Sequence, residues 1–290
     1  TAKAEATIKT EASTTEESTA AESASVYKEI EIEGKSPVQT SMAAEENTAV
    51  GENKAVEPLE ATSDGNPIGL DDLEEINYEE ALLNLGYLNE STYDHAYNVY
   101  IAVLLFQANH NLVVDGIWGD SSMQALIKHM KTNMFMYRDK VANPASEGRW
   151  IAINLTKRLL TLYEGTGVIS KYPIAVGNPP TLTPEGKFSI VNKLVNPYWG
   201  GAGYAAPVEG GSPYNPLGYR WLGISIGDGY SYGIHGTNSP YSIGTNASLG
   251  CIRMPNFCVE QLFELVEIYT PVWIGFDETL ASWGIEQIEY

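Results

Sequence analysis

Apolar residues recur along this chain with two different periods, and the point where the period changes marks its organisation. Between residues 71 and 135 the spacing is helical. Asn77 with Glu80 three positions on has the spacing of a capping box, and Ala81, Leu82 and Leu85 follow before Gly86, which predicts a short helix. A second helix reads from Ser91 through Tyr97, Tyr100, Ile101, Leu104 and Leu105, and a third from Asp120 with Met123, Leu126, Ile127 and Met130 on one face. Three short amphipathic helices can share one small core. From Trp150 the period drops to two, and 150–155, 159–163, 168–176, 187–195, 221–226 and 271–276 read as strands. One helix interrupts them, with Asn256 as its cap and Val259, Leu262, Phe263 and Val266 at helical spacing. The expected architecture is a mainly β domain over 149–277, a β-sandwich of mixed sheets with one packed helix, preceded by the three-helix module and followed by a tail over 278–290. The Gly/Pro/Tyr-rich stretch 197–218 is too long for a plain connection and is expected to form a substrate-facing lid.

Composition changes this picture mainly at the N-terminus. Residues 1–70 hold fourteen acidic and five basic residues and a single aromatic, Tyr27. Such a segment buries too little apolar surface to offset its chain entropy, so a disordered acidic tether is expected. The whole chain carries a formal charge of −20. That balance argues against nucleic acid, which needs clustered Lys and Arg, and against anionic membrane surfaces. The apolar run 101–106 is far shorter than the roughly 18 residues of a membrane span, so no membrane contact is expected within these residues. The first residue is Thr rather than Met, and an export or anchoring segment ahead of it is the expectation, with a cytosolic protein carrying an acidic tail as the alternative.

Candidate chemistry lies in one segment. His235-Gly236-Thr237-Asn238 is followed, after a loop, by Ser248-Leu249-Gly250-Cys251-Ile252-Arg253-Met254, so the only histidine beyond position 129 stands near one of only two cysteines. A thiolate that attacks a carbonyl, an imidazole that carries the proton and backbone N–H groups in a Gly-flanked turn are the parts of a thiol acyltransferase. His235 reads as the general base for Cys251. Gly250 allows close backbone approach, the Cys251 N–H with a neighbour can form an oxyanion hole, and Ser248 can orient either the ring or the turn. Arg253 reads as a holder of a substrate carboxylate, a supporter of the thiolate or a structural ion-pair partner. Cys258, seven residues on, is expected to be a packed inert thiol, and His95, His110 and His129 to be solvated in the helical module. With one histidine after position 129 and no H-E-x-x-H or H-x-x-x-D, a zinc peptidase lacks ligands, and no metal or organic cofactor is expected.

The string I-H-G-T-N, then S-I-G, then S-x-G-C-I-R-M resembles the signature of the L,D-transpeptidases, cell-wall enzymes with a catalytic cysteine. Tyr172-Pro173-Ile174-Ala175-Val176-Gly177, Thr183-Pro184-Glu185-Gly186-Lys187-Phe188, Asn215-Pro216-Leu217-Gly218 and Pro271-Val272-Trp273-Ile274 resemble its landmarks in order, over roughly 149 to 276. Leu249 stands where many members have His. Phe106-Gln107, Leu112-Val113-Val114-Asp115-Gly116-Ile117-Trp118-Gly119 and Ala125-Leu126 resemble a peptidoglycan-binding module, in which Asp115 and Gly116 would make a turn and Trp118 offer a flat apolar face.

The resemblance implies that Cys251 attacks a peptidoglycan tetrapeptide stem at the bond from an L-centre to D-Ala and passes the acyl group to an amine of a second stem. It implies Gly236, Thr237 and Tyr214 as substrate contacts, β-lactams of the carbapenem type as covalent inhibitors, and an extracellular, wall-associated location. Water in place of the amine would make the enzyme an L,D-carboxypeptidase or endopeptidase. A non-catalytic wall-binding protein using 71–135 is the reading from another class.

Overall fold

The computed structural model describes residues 76–89, 94–132 and 135–290. The expected tether over 1–70 and the expected helix start at Ser91 lie outside the described residues.

In chain order the elements are α1 (Tyr78–Asn84), α2 (His95–Asn109), α3 (Asp120–Met130), β1 (Asp139–Val141), β2 (Arg149–Asn154), β3 (Leu159–Glu164), β4 (Gly167–Pro173), β5 (Val176–Gly177) and β6 (Gly186–Val195). Then follow β7 (Arg220–Ile224), β8 (Gly233–His235), β9 (Asn246–Ser248), β10 (Ile252–Arg253), α4 (Asn256–Leu265), β11 (Pro271–Gly275), α5 (Asp277–Ser282) and β12 (Ile285–Gln287).

The region after the helices is mainly β: eight strands join in one mixed sheet of order β10-β8-β7-β6-β11-β2-β3-β4, beside two-stranded pairs β1-β12 and β5-β9. The sheet curls until its two ends meet: Ala175 N–H donates to Arg253 O at 2.9 Å and Arg253 N–H returns to Ala175 O at 3.0 Å. Period-two alternation explains why both faces are covered. Ile151 and Ile153 on β2 join Leu160, Leu162, Ile234, Ile252 and Val272 inside the curl, where Val259 and Leu262 of α4 fill the middle. Trp150 and Ala152 point the other way and pack with Tyr163, Leu280 and Ile285. The layers expected of a sandwich are thus two limbs of one sheet, and the packed helix α4 is joined by a second, α5. Residues 278–290 are correspondingly no free tail. Leu280 and Ile285 are buried, and β12 pairs antiparallel with β1, because these apolar positions close the outer face of β2 and β3.

The three helices form as their pattern predicts, with local differences at the caps. Asn77 Oδ1 accepts from Glu79 N–H at 3.1 Å and Glu80 N–H at 3.4 Å. Asp94 caps α2 through Tyr97 N–H. The module is docked on the sheet: Tyr97, Ile101, Leu104 and Ala108 of α2 pack with Val114, Leu159, Ala175 and Ile243. Tyr100 Oη donates to Ile243 O at 2.6 Å, and Arg158 Nε donates to Val114 O at 2.8 Å. Asp115 makes the expected turn, accepting from Ile117 N–H and from Gln107 Nε2, while Gly116 at φ 73° leaves room for the Tyr100 ring. Trp118 does not present a free face. It stacks on Tyr78 with ring centres 4.8 Å apart and leans on Phe106, because burying a large ring in a small module is worth more than exposing it. His110 is buried rather than solvated, bonded through Nδ1 to Phe106 O and through Nε2 to His129 Nδ1.

Candidate active site

The parallel pairing of β8 with β10 sets the site. It places Ile234 opposite Ile252 and His235 opposite Arg253, so Cys251, one residue before β10, stands at the mouth of the curl beside the His strand. His235 also pairs with Trp221 on β7, whose indole stacks on the imidazole at 5.5 Å and 19°. The ring is almost wholly buried. Its Nδ1–H donates to Gly236 O at 2.6 Å, which fixes the tautomer and leaves Nε2 unprotonated. Burial holds the His235 pKa down to about 4, partly opposed by the Gly236 carbonyl; the Arg253 charge lowers it further, and the Leu217 carbonyl acts the other way.

Cys251 is half-buried, and its thiol donates to Ser231 O at 3.6 Å rather than to the imidazole. Burial pushes its pKa up, against a backbone hydrogen bond from Gly233 and the charge of Arg253. Both partners are therefore neutral at pH 7 in this state. His235, Ser248, Cys251 and Arg253 all line one cleft of about 510 Å³, and among the described residues Arg253 is the one charged group in its walls. The 197–218 stretch supplies much of the rest, including Trp199, Tyr204 and Leu217. Asn215 anchors it, donating from Nδ2 to Pro197 O and Glu209 O.

Ser248 serves the turn rather than the ring. Its Oγ donates to Cys251 O at 2.5 Å and accepts Gly250 N–H at 3.1 Å. The Gly250 N–H is thereby occupied, so its place in the site is conformational: φ is 112°, and a Cβ there would meet the Tyr232 ring at 2.8 Å. Arg253 reaches Ser242 Oγ at 3.5 Å. Gly236 and Thr237 lie behind His235 instead of on the cleft wall, and Tyr214 stands outside it, exposed, with its carbonyl accepting from Asn238 Nδ2. Asp115, Gly116 and Trp118 belong to the helical module and are not brought to this cleft. Two contributors escaped the sequence reading. Trp221 was seen only as a strand residue, and Asn256 only as a helix cap. Pro255 holds the cap position, and the Asn256 carboxamide instead pairs with the backbone of Thr237.

The buried neutral rings have a consequence for stability. His235 has a folded pKa of about 4 and His110, through burial, about 3, against 6.5 when unfolded. As pH falls below 6.5 the unfolded chain takes up protons that the folded chain refuses. Stability is therefore full above that value and is lost on acidification, by about 1.4 kcal/mol per pH unit for each ring. The urea midpoint is expected to drop between pH 7 and about 5, with a shallower drop in His110→Phe. A level midpoint in the native protein over that interval would contradict the buried neutral state.

The L,D-transpeptidase catalytic domain model named YkuD matches residues 148–274. YqjB of Bacillus subtilis, assigned by its name to the L,D-transpeptidases, is 41% identical over 137 residues, 47% of this chain and 76% of the relative. YkuD of Bacillus licheniformis, named for the same group, is 42% identical over 134 residues, 46% of this chain and 70% of its own. A crystal structure of the L,D-transpeptidase from Xylanimonas cellulosilytica aligns with a TM-score of 0.48 at 21% identity, covering 71% of this chain and 94% of that one. With a shared domain that spans more than two thirds of both Bacillus relatives, this chain belongs to the L,D-transpeptidase family.

Proposed function

We propose that this enzyme is a cysteine acyltransferase of peptidoglycan, working outside the cell membrane at the wall. The observation that carries the reading is the single cleft in which Cys251, a tautomer-fixed His235 and Arg253 meet. The thiol leaves the Ser231 carbonyl for the imidazole, gives its proton to Nε2, and the sulfur attacks the carbonyl of the L-centre that precedes D-Ala in a tetrapeptide stem. The Cys251 N–H faces the developing oxyanion, and the C–N bond breaks as the imidazolium returns its proton to the departing D-Ala amine. An amine of a second stem attacks the thioester and loses its proton to His235, the C–S bond breaks, and the thiol is restored. A cross-link between two third-position diamino acids results.

The Arg253 guanidinium in the cleft wall suits a donor that ends in a carboxylate. Water as the final nucleophile would give the hydrolytic activity instead, and the aromatic lid is the element that disfavours it by covering the thioester. Incubation with purified disaccharide-tetrapeptide and mass spectrometry of the products tests the proposal. Cross-linked dimer with release of D-Ala is the expected result. Tripeptide alone would make the enzyme a carboxypeptidase, and unchanged substrate would leave a wall-binding protein.

A further inference from the structure

The geometry points to Asn256 as a positioning residue that sets the tautomer of His235 by clamping the peptide unit to which the ring is bonded. This rests on His235 being the base of the proposed reaction. Asn256 is the first residue of α4, five positions after Cys251, and its side chain turns back across the His strand. Thr237 N–H donates to Asn256 Oδ1 at 3.0 Å, and Asn256 Nδ2 donates to Thr237 O at 3.0 Å. The first of these bonds matters most. The Thr237 N–H and the Gly236 C=O belong to one planar trans peptide, so they point in opposite directions. Fixing the N–H toward α4 aims the carbonyl at the imidazole, where it accepts Nδ1–H at 2.6 Å. If that plane rotated, Nδ1 would lose its acceptor and Nε2–H would compete, placing a proton where the reaction needs a lone pair.

The surroundings leave the carboxamide little freedom. Gly218, at φ 63°, and Gly236 both approach it so closely that a Cβ on either would collide with Asn256 Oδ1. Gly218 follows Leu217, which lines the cleft with His235. One side chain therefore braces the end of the lid and the His strand together. Among the described residues, Arg253 is the charged group acting on the ring, Cys251 lines the same cleft, and the ring's hydrogen-bond partner is a backbone carbonyl rather than a carboxylate. That carbonyl orients the imidazole, and Asn256 holds the carbonyl.

Nitrogen-15 histidine spectra of the full chain, with His235 identified by His235→Gln, read the tautomer directly and need no substrate. The native protein is expected to show a single Nδ1–H form, and Asn256→Ala a mixture with Nε2–H. Acylation of Cys251 by a carbapenem, followed by intact mass, should slow by about ten- to hundredfold in Asn256→Ala, as when an outer partner of a working imidazole is removed. Asn256→Asp keeps the acceptor for Thr237 N–H and should keep the Nδ1–H form, while its charge moves the acid limb of the acylation rate to higher pH. Should Asn256→Ala not fold, Asn256→Ser, too short to reach Thr237, is read the same way. An unmixed Nδ1–H form and an unchanged pH profile in these variants, with only the melting temperature lowered, would overturn the assignment. A native protein that resists acylation would refute the nucleophile instead, and the tautomer spectra would still decide the role of Asn256.

Discussion

Cys251→Ala is expected to abolish both acyl transfer to stem peptides and the mass gain on incubation with a carbapenem, while Cys258→Ala leaves both intact. The two thiols differ in kind. Cys251 opens into the cleft beside a base and a cation, whereas Cys258 is sealed in the core on α4, where burial pushes its pKa far up. His235→Gln is expected to slow acylation by about 10²- to 10⁴-fold at neutral pH, the usual worth of a positioned base. The neutral resting pair predicts how that loss depends on pH. With His235 in place, the rate should be level across neutrality and fall only on approach to about pH 4, because the base works when unprotonated. Without it, the rate should climb with every unit of pH as free thiolate takes over. Residual labelling of Cys251→Ala, or a pH-independent rate in His235→Gln, would place the chemistry elsewhere.

How far this site could be read from the sequence depended on where the determining contacts lie. β2 and α3 came out within a residue of their ends because their burial pattern repeats locally, as at Ile151 and Ile153 or Leu126 and Ile127. β8, β9 and β10 are two or three residues long, and nothing local marks them. Ile234 and Ile252 become strand residues only by pairing with each other across the motif. Cys251, His235 and Arg253 were legible as residue types whose chemistry stands out, and the structure gathers them in one cleft. Gly236, Thr237 and Tyr214 were not, since adjacency to a reactive residue in sequence says nothing of the direction a strand faces. Asn256 illustrates the same limit: an Asn at a helix start fits a cap as well as a clamp, and Thr237, nineteen residues back, decides between them. The tail reading of 278–290 failed for a related reason, because Leu280 and Ile285 are too few to show a period and find their partners on β2 and β3.

The largest stability effect is expected far from the cleft, at Lys171. Its ammonium is fully buried on β4 and bonds Asp139 Oδ1 at 2.7 Å and Thr161 Oγ1 at 3.1 Å. Burial lowers its pKa to about 8, with Asp139 opposing, so it is charged at pH 7. Asp139 in turn accepts from Tyr163 Oη at 2.7 Å and from Asn111 Nδ2 at 3.2 Å. The pair thus ties β1, the sheet and the helical module at one point, and Gln287 of β12 closes the group by donating to Thr161. Lys171→Met removes one charge and strands the other where water cannot reach it, which is expected to cost roughly 3–5 kcal/mol in urea unfolding. Tyr163 and Asn111 are neutral donors and cannot replace the lost ammonium. Replacing Asp139 by Asn as well removes the stranded charge, so the double variant should recover much of the loss, and the coupling between the two substitutions measures the pair itself. The folded fraction of Lys171→Met should still be acylated at the native rate, since neither residue touches the cleft. Equal losses in the single and double variants would show that packing, not the buried charge, sets the cost.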